Sequence, residues 1–256
     1  MSTSEKKRSK PSLPFSNDIQ KTLHRNLEFT ATEQYKLIRT NLDFTLPEGE
    51  KCPVIGVTSA MRGEGKSTTA INLSYVLAER GSRVLLIDGD LRIPSIAKKM
   101  DISSTPGLTD VLMNKGVQQL NDFKTSVLGN WFIMPSGEIP PNPSELLSSK
   151  RMEAALKGLR EHFDYIIIDL PPVNIVSDAV AISNYITGMI VVVREEYTEK
   201  KELEHCFRQL RLSNVKVLGC VMNGTQTGGG SYSKYKKYKY YKYSRYYKSD
   251  KKEKES

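Results

Sequence analysis

"VIGVTSAMRGEGKSTTAINLSYVLAERG", residues 54–81, decides the fold. The first six residues form a short β-branched run, the mark of a buried strand. From residue 66 onward Ala70, Leu73 and Leu77 fall on one face of a helix, and Gly81 stands where a left-handed C-terminal stop is expected. Between strand and helix lies Gly63-x-Gly65-Lys66-Ser67-Thr68. A phosphate needs successive backbone N–H groups at close range; glycines clear that space and the helix N-terminus adds partial positive charge. Lys66 would reach the β- and γ-phosphates, and the Ser67 hydroxyl would bind Mg²⁺. Gly63, Glu64, Gly65, Lys66, Ser67 and Thr68 are therefore the candidate ATP-binding loop, although Ala60 stands where the full motif has its first glycine.

Similar apolar runs recur at 83–88, 131–135, 165–169, 188–193 and 216–223. They are continuous rather than alternating, as in parallel strands buried on both faces. Helical patterns separate them, notably 144–162 and 198–211, with Ser144 and Thr198 placed to cap. Strands alternating with helices predict an α/β fold: a doubly wound, mostly parallel sheet in one domain spanning 28–224. A basic arm precedes it (1–27) and a tail follows the glycine run after it (225–256); both are expected to be flexible.

Three carboxylates close predicted strands. "LLIDGDLR" ends the second strand on Asp88 and Asp90, two apart and so on one face. Strand ends on this edge are where ligands of such sheets bind. A helix cap followed by a turn is the lesser reading of that pair. "YIIIDLPP" ends on Asp169, the expected position of a magnesium-holding aspartate. Lys66, Asp88 and Asp90 are the candidate catalytic residues, with Ser67, Asp88 and Asp169 as metal ligands; Asp90 is the first choice as base, and the sequence equally allows Asp88 and Asp90 to exchange roles.

Composition sets the outer limits. No run of eighteen apolar residues occurs, and no apolar core follows the charged N-terminus, so neither a membrane span nor a signal peptide is expected. Cys52, Cys206 and Cys220 lie far apart and read as reduced, mostly buried thiols. The net charge is +9, yet residues 231–256 alone carry nine Lys and one Arg against one Asp and two Glu. Within them, "YSKYKKYKYYKYSRYYK" (232–248) holds eight tyrosines.

Taken together, "RGEGKST", "LLIDGDLR", "IIIDLPPVNIVSDA", "GEIPPNPSELL" and the N-terminal "EQYKLIRTNLDF" resemble the bacterial tyrosine kinases of capsule and exopolysaccharide loci. These are P-loop enzymes of the ParA/MinD-like deviant Walker class. The resemblance extends to the tyrosine-rich end and looks like the stand-alone cytoplasmic kinase of Gram-positive type. It implies that Lys66 and Ser67 occupy the Walker A positions, Asp88 and Asp90 Walker A′, and Asp169 Walker B. It implies ring-shaped homo-oligomers of the unphosphorylated chain through Glu33-x-x-Lys36-x-x-Arg39, with Lys36 in place of an arginine and its bidentate contact. Taken alone, charges at that spacing describe a solvated helix face. It also implies a transmembrane polysaccharide co-polymerase as activator, a cognate phosphotyrosine phosphatase, and a place at the inner face of the membrane. Asn223 would contact adenine.

A phosphoryl transferase ending in tyrosines offers itself a substrate, so Tyr232, Tyr235, Tyr238, Tyr240, Tyr241, Tyr243, Tyr246 and Tyr247 are the expected autophosphorylation sites. The alternative is a partition ATPase whose basic, aromatic tail binds nucleic acid or anionic lipid. Partition proteins carry a second lysine five residues before Lys66, where this chain has Met61, and no nucleic acid is expected.

Overall fold

The computed structural model describes residues 29–114, 119–123, 125 and 127–225; the N-terminal arm and the tyrosine tail lie outside them. Six strands form one sheet: β1 (Val54–Ser59), β2 (Val84–Asp88), β3 (Trp131–Met134), β4 (Tyr165–Asp169), β5 (Gly188–Arg194) and β6 (Val217–Asn223). Their spatial order is β3-β2-β4-β1-β5-β6, and every neighbouring pair is parallel. The expected doubly wound sheet is present.

The continuous apolar runs have a direct structural meaning. Along β2, Leu85 and Ile87 enter one core while Val84 and Leu86 enter the other. Ile166 and Ile168 oppose Ile167 in the same way along β4. One layer of helices, led by α1 (Phe29–Thr45) and α2 (Lys66–Glu79), covers the face of Val84 and Leu86 with Leu42, Leu73 and Leu77. The other face is covered by α6 (Lys150–Arg160) and α8 (Lys200–Leu212), through Met152, Leu156, Cys206 and Leu210. Trp131 is buried and satisfied: its Nε1–H donates to Ser74 Oγ at 3.0 Å, and its ring meets Tyr75 edge-on.

Departures from the sequence reading are local. The helix expected over 144–162 is two helices, α5 (Pro143–Leu147) and α6, broken at Ser148 and Ser149. Ser149, not Ser144, caps α6, its Oγ accepting from Met152 N at 3.2 Å. Neither does Thr198 cap α8, which begins after Glu199. β6 is not buried on both faces: Gly219, Cys220 and Met222 are exposed, whereas β3, at the opposite edge of the sheet, is buried throughout. The short helices α3 (Ile96–Met100), α4 (Leu108–Leu112) and α7 (Asp178–Ala181) were not anticipated. Among the described residues no helix is long and apolar enough to cross a membrane.

Leu86 sits mid-strand in β2, fully buried beneath α2. Leu86→Ala should lower unfolding stability by about 2–5 kcal/mol. Urea denaturation should show this as a lower midpoint with an unchanged slope.

Candidate active site

Register brings the predicted carboxylates together. Asp169 pairs with Asp88 across β2 and β4, and with Val57 of β1 on its other side. The loop that follows β1 therefore overhangs the ends of β2 and β4. β2 and β4 approach closely at Gly89, whose N–H donates to Asp169 O at 2.8 Å. A Cβ there would stand 2.9 Å from that same oxygen, so no larger residue fits between the two aspartates.

Lys66 projects into this cluster. Its Nζ lies 2.8 Å from Asp90 Oδ2 and 3.5 Å from Asp169 Oδ1. Burial would lower the Lys66 pKa, but Asp169, Asp90 and Asp88 together outweigh it and the pKa rises. Lys66 is thus firmly protonated. Burial raises the Asp169 pKa against the opposing pull of Lys66 and Ser67. Burial, reinforced by Asp169, pushes Asp88 up to about 7.

The two aspartates after β2 are not equivalent. Asp88 is fully buried and already engaged: Oδ2 accepts from Ser95 N at 3.0 Å and Ile96 N at 2.9 Å, capping α3, while Oδ1 faces Asp90 N at 3.3 Å. The helix-cap reading, ranked lower from sequence, describes the contacts Asp88 makes. Asp90 Oδ1 accepts from Ile93 N at 3.1 Å, while Oδ2 holds Lys66 at the floor of a surface groove.

The phosphate loop is braced from outside. Gly65 has φ +97° and precedes α2 without any side-chain cap, so the first N–H groups of that helix have no capping side chain. Glu64, fully buried, turns its carboxylate inward to accept from Met61 N at 2.9 Å and from the Thr198 hydroxyl. Tyr197 Oη donates to Arg62 O at 2.9 Å, and Arg194 Nη1 to Gly63 O at 3.0 Å. Asn223 Nδ2 donates to Glu64 O at 2.8 Å. Glu64 and Asn223, expected from sequence as nucleotide contacts, thus make loop-bracing contacts, and Arg194, Tyr197 and Thr198 were missed. Nothing in the sequence links residues 194–198 to the loop, since β5 is beside β1 only in space. Thr68 is half-buried on the first turn of α2.

Of the oligomerisation motif, Glu33 and Lys36 bridge each other at 2.9 Å on a half-exposed face of α1. Arg39 instead donates to Val76 O near the end of α2 at 2.7 Å.

Both carboxylate oxygens of Asp169 are enclosed without a well-formed hydrogen bond. Such an orphaned hard oxygen pair, next to the Ser67 hydroxyl at a helix N-terminus, fits a Mg²⁺ bound together with nucleotide phosphates. Nucleotide binding belongs to the fold.

The AAA domain family matches residues 52–217. Tyrosine-protein kinase YwqD of Bacillus subtilis is 41% identical over 75% of this chain and 81% of its own. The chain belongs to the bacterial tyrosine kinases of capsule loci. Tyrosine-protein kinase CpsD of Streptococcus pneumoniae is 36% identical to this kinase over 78% of this chain and 87% of its own. The crystal structure of the chimerical protein CapA2B2 superposes with a TM-score of 0.74 at 32% identity, covering 82% of this chain and 91% of that one. The kinase is a protein-tyrosine phosphotransferase, and the partition-ATPase alternative falls away.

At Gly65 the backbone is left-handed and a Cβ would lie 1.9 Å from Asn223 Nδ2. Gly65→Ala should weaken binding of a fluorescent ATP analogue by about 10²-fold or more, equivalent to nearly 3 kcal/mol. A fluorescence titration of the folded variant reads this directly.

Proposed function

We propose that the kinase is a Mg-ATP-dependent autokinase of its own C-terminal tyrosines, Tyr232 to Tyr247, acting between copies and thereby regulating capsular polysaccharide synthesis and export. The carrying observation is the end of β6. Asn223, the last strand residue, is bonded to the phosphate loop through Glu64, so the chain sets out toward its tyrosines from the active site. The eight tyrosines themselves lie outside the described residues.

Lys66 accounts for the first step. With no phosphate present it neutralises Asp90 and Asp169; an arriving triphosphate competes for it and leaves Asp90 without its cation. Asp90 is then the base, because it reaches the surface groove whereas Asp88 is spent on backbone N–H groups. The acceptor hydroxyl gives its proton to Asp90 as its oxygen bonds to the γ-phosphorus, and the bond to the β–γ bridging oxygen breaks to release ADP. Ser67 and Asp169 would hold Mg²⁺, with Asp88 contributing charge. When bound, the ion would neutralise charge on the β- and γ-phosphates. Gly65 and the first turn of α2 present N–H groups to the phosphates.

Each phosphate adds about −1.5 to −2 charge, so roughly four would cancel the tail's positive excess and more would invert it. That reversal supports a switch in which phosphorylation loosens oligomers that the unmodified tail helps to hold. Assembly through the α1 face at Glu33 and Lys36 belongs to this reading, with Arg39 fixing the helix. So do activation by a transmembrane modulator, suggested by the CapA2B2 likeness, a peripheral place beneath the membrane, and reversal by a phosphatase.

Incubation with Mg-ATP, with and without the modulator's cytoplasmic segment, followed by tail mass spectrometry, tests the proposal. Phosphates should fall within residues 232–248 and vanish in Lys66→Met. Asp90→Asn should reduce kcat by about 10²–10⁴-fold while nucleotide still binds. ATP hydrolysis with an unmodified tail would overturn the proposal.

A further inference from the structure

Beside Asp90 a shallow groove opens between two loops. Ile93, after β2, forms one wall; Pro172, Ile175 and Val176, after β4, form the other; Arg62 of the phosphate loop closes one end. Ile93 and Ile175 are 51% and 39% exposed, unusually open for large aliphatic side chains beside a carboxylate that must stay dry enough to act. Asp90 is the buried carboxylate of the lining, and Arg62 and Arg92 are its two cations. Aliphatic and prolyl walls that lead to a carboxylate match a flat ring with one hydroxyl at its tip.

We propose that this groove is the slot for the acceptor tyrosine ring, with Ile93 and Ile175 as specificity-determining residues and the Arg92–Asp178 pair as the tie that sets its width. This rests on the reading of Asp90 as the base. Arg92 adjoins Ile93 in one wall, and Asp178 follows the other. The pair is bidentate, with Nε to Oδ2 at 2.8 Å and Nη2 to Oδ1 at 3.0 Å. Asp178 is fully buried and also accepts from the Ser144 hydroxyl, which lies 3.3 Å from Arg92 Nη2. Two parallel charge-assisted bonds fix distance and angle in a way that a single contact does not. Ser144 of the "PPNPSELL" segment is thereby a buttress behind the slot. A tyrosine reaches Asp90 with its ring between the walls. A serine hydroxyl, one bond beyond Cβ, would need the peptide backbone itself to enter. The slot therefore selects tyrosine by the reach of its side chain.

Three peptides of residues 232–248 separate this idea from its foundation: the natural one, one with every tyrosine replaced by phenylalanine, and one with every tyrosine replaced by serine. Each is titrated against the full chain saturated with Mg²⁺ and a non-hydrolysable ATP analogue. The phenylalanine peptide should bind like the natural one and the serine peptide about tenfold or more weaker. Ile93→Ala/Ile175→Ala, both surface changes, should abolish that preference. Arg92→Lys, which keeps charge but loses the fork, should raise the acceptor KM with kcat retained.

Ring-independent binding overturns the slot and spares the tail as acceptor. Ring-dependent binding that survives the double variant places the ring elsewhere and overturns it too. Failure of all three peptides to bind overturns both. Failure of the Asp90 assignment shows separately, as an active Asp90→Asn enzyme with ring preference intact.

Discussion

One buried cation holds the active end of this kinase together. Asp88, Asp90 and Asp169 crowd the same edge of the sheet, each almost sealed from water, and their mutual repulsion is relieved by Lys66. Removing one member of a buried charge set leaves the others uncompensated, which costs far more than losing a surface pair. The lysine of the glycine loop is therefore also the structural counter-ion of the strand-end carboxylates.

Rigidity around that cation is imported. The phosphate loop has no capping side chain, as a loop that must present bare N–H groups requires. Its shape comes instead from Glu64 turned inward and from residues contributed by the β5–α8 connection and the end of β6. Five hydrogen bonds from Arg194, Tyr197, Thr198, Asn223 and Met61 converge on residues 62–64. Four of the five come from elements more than a hundred residues away in sequence, so the loop is preorganised largely from outside.

This division explains what was legible in the sequence. Strands announce themselves as continuous β-branched runs, so all six were recognisable, with their terminal aspartates and the glycine loop. The exposure along β6 was not legible, because its run reads like the other five and only the fold decides what covers it. Ser144 and Thr198 were read as caps because each stands at the head of a helical pattern, where local chemistry favours capping. Both hydroxyls are drawn instead to buried carboxylates, Asp178 and Glu64, that only the fold brings near. Asp88 shows the converse: local cap and distant charge cluster are both real, and one side chain serves them at once. Asp90's groove could not be foreseen, since its walls come from separate loops tied by Arg92 and Asp178.

The bond from Arg39 to Val76 has a mechanical side. α2 starts directly after Gly65 of the glycine loop and carries, near its far end, a carbonyl gripped by a guanidinium from α1. The eleven residues from Gly65 to Val76, at about 1.5 Å each, make a stiff rod of about 16 Å between those two points. Whatever pushes on the outer face of α1 leans on one end of that rod, and the glycine loop sits at the other.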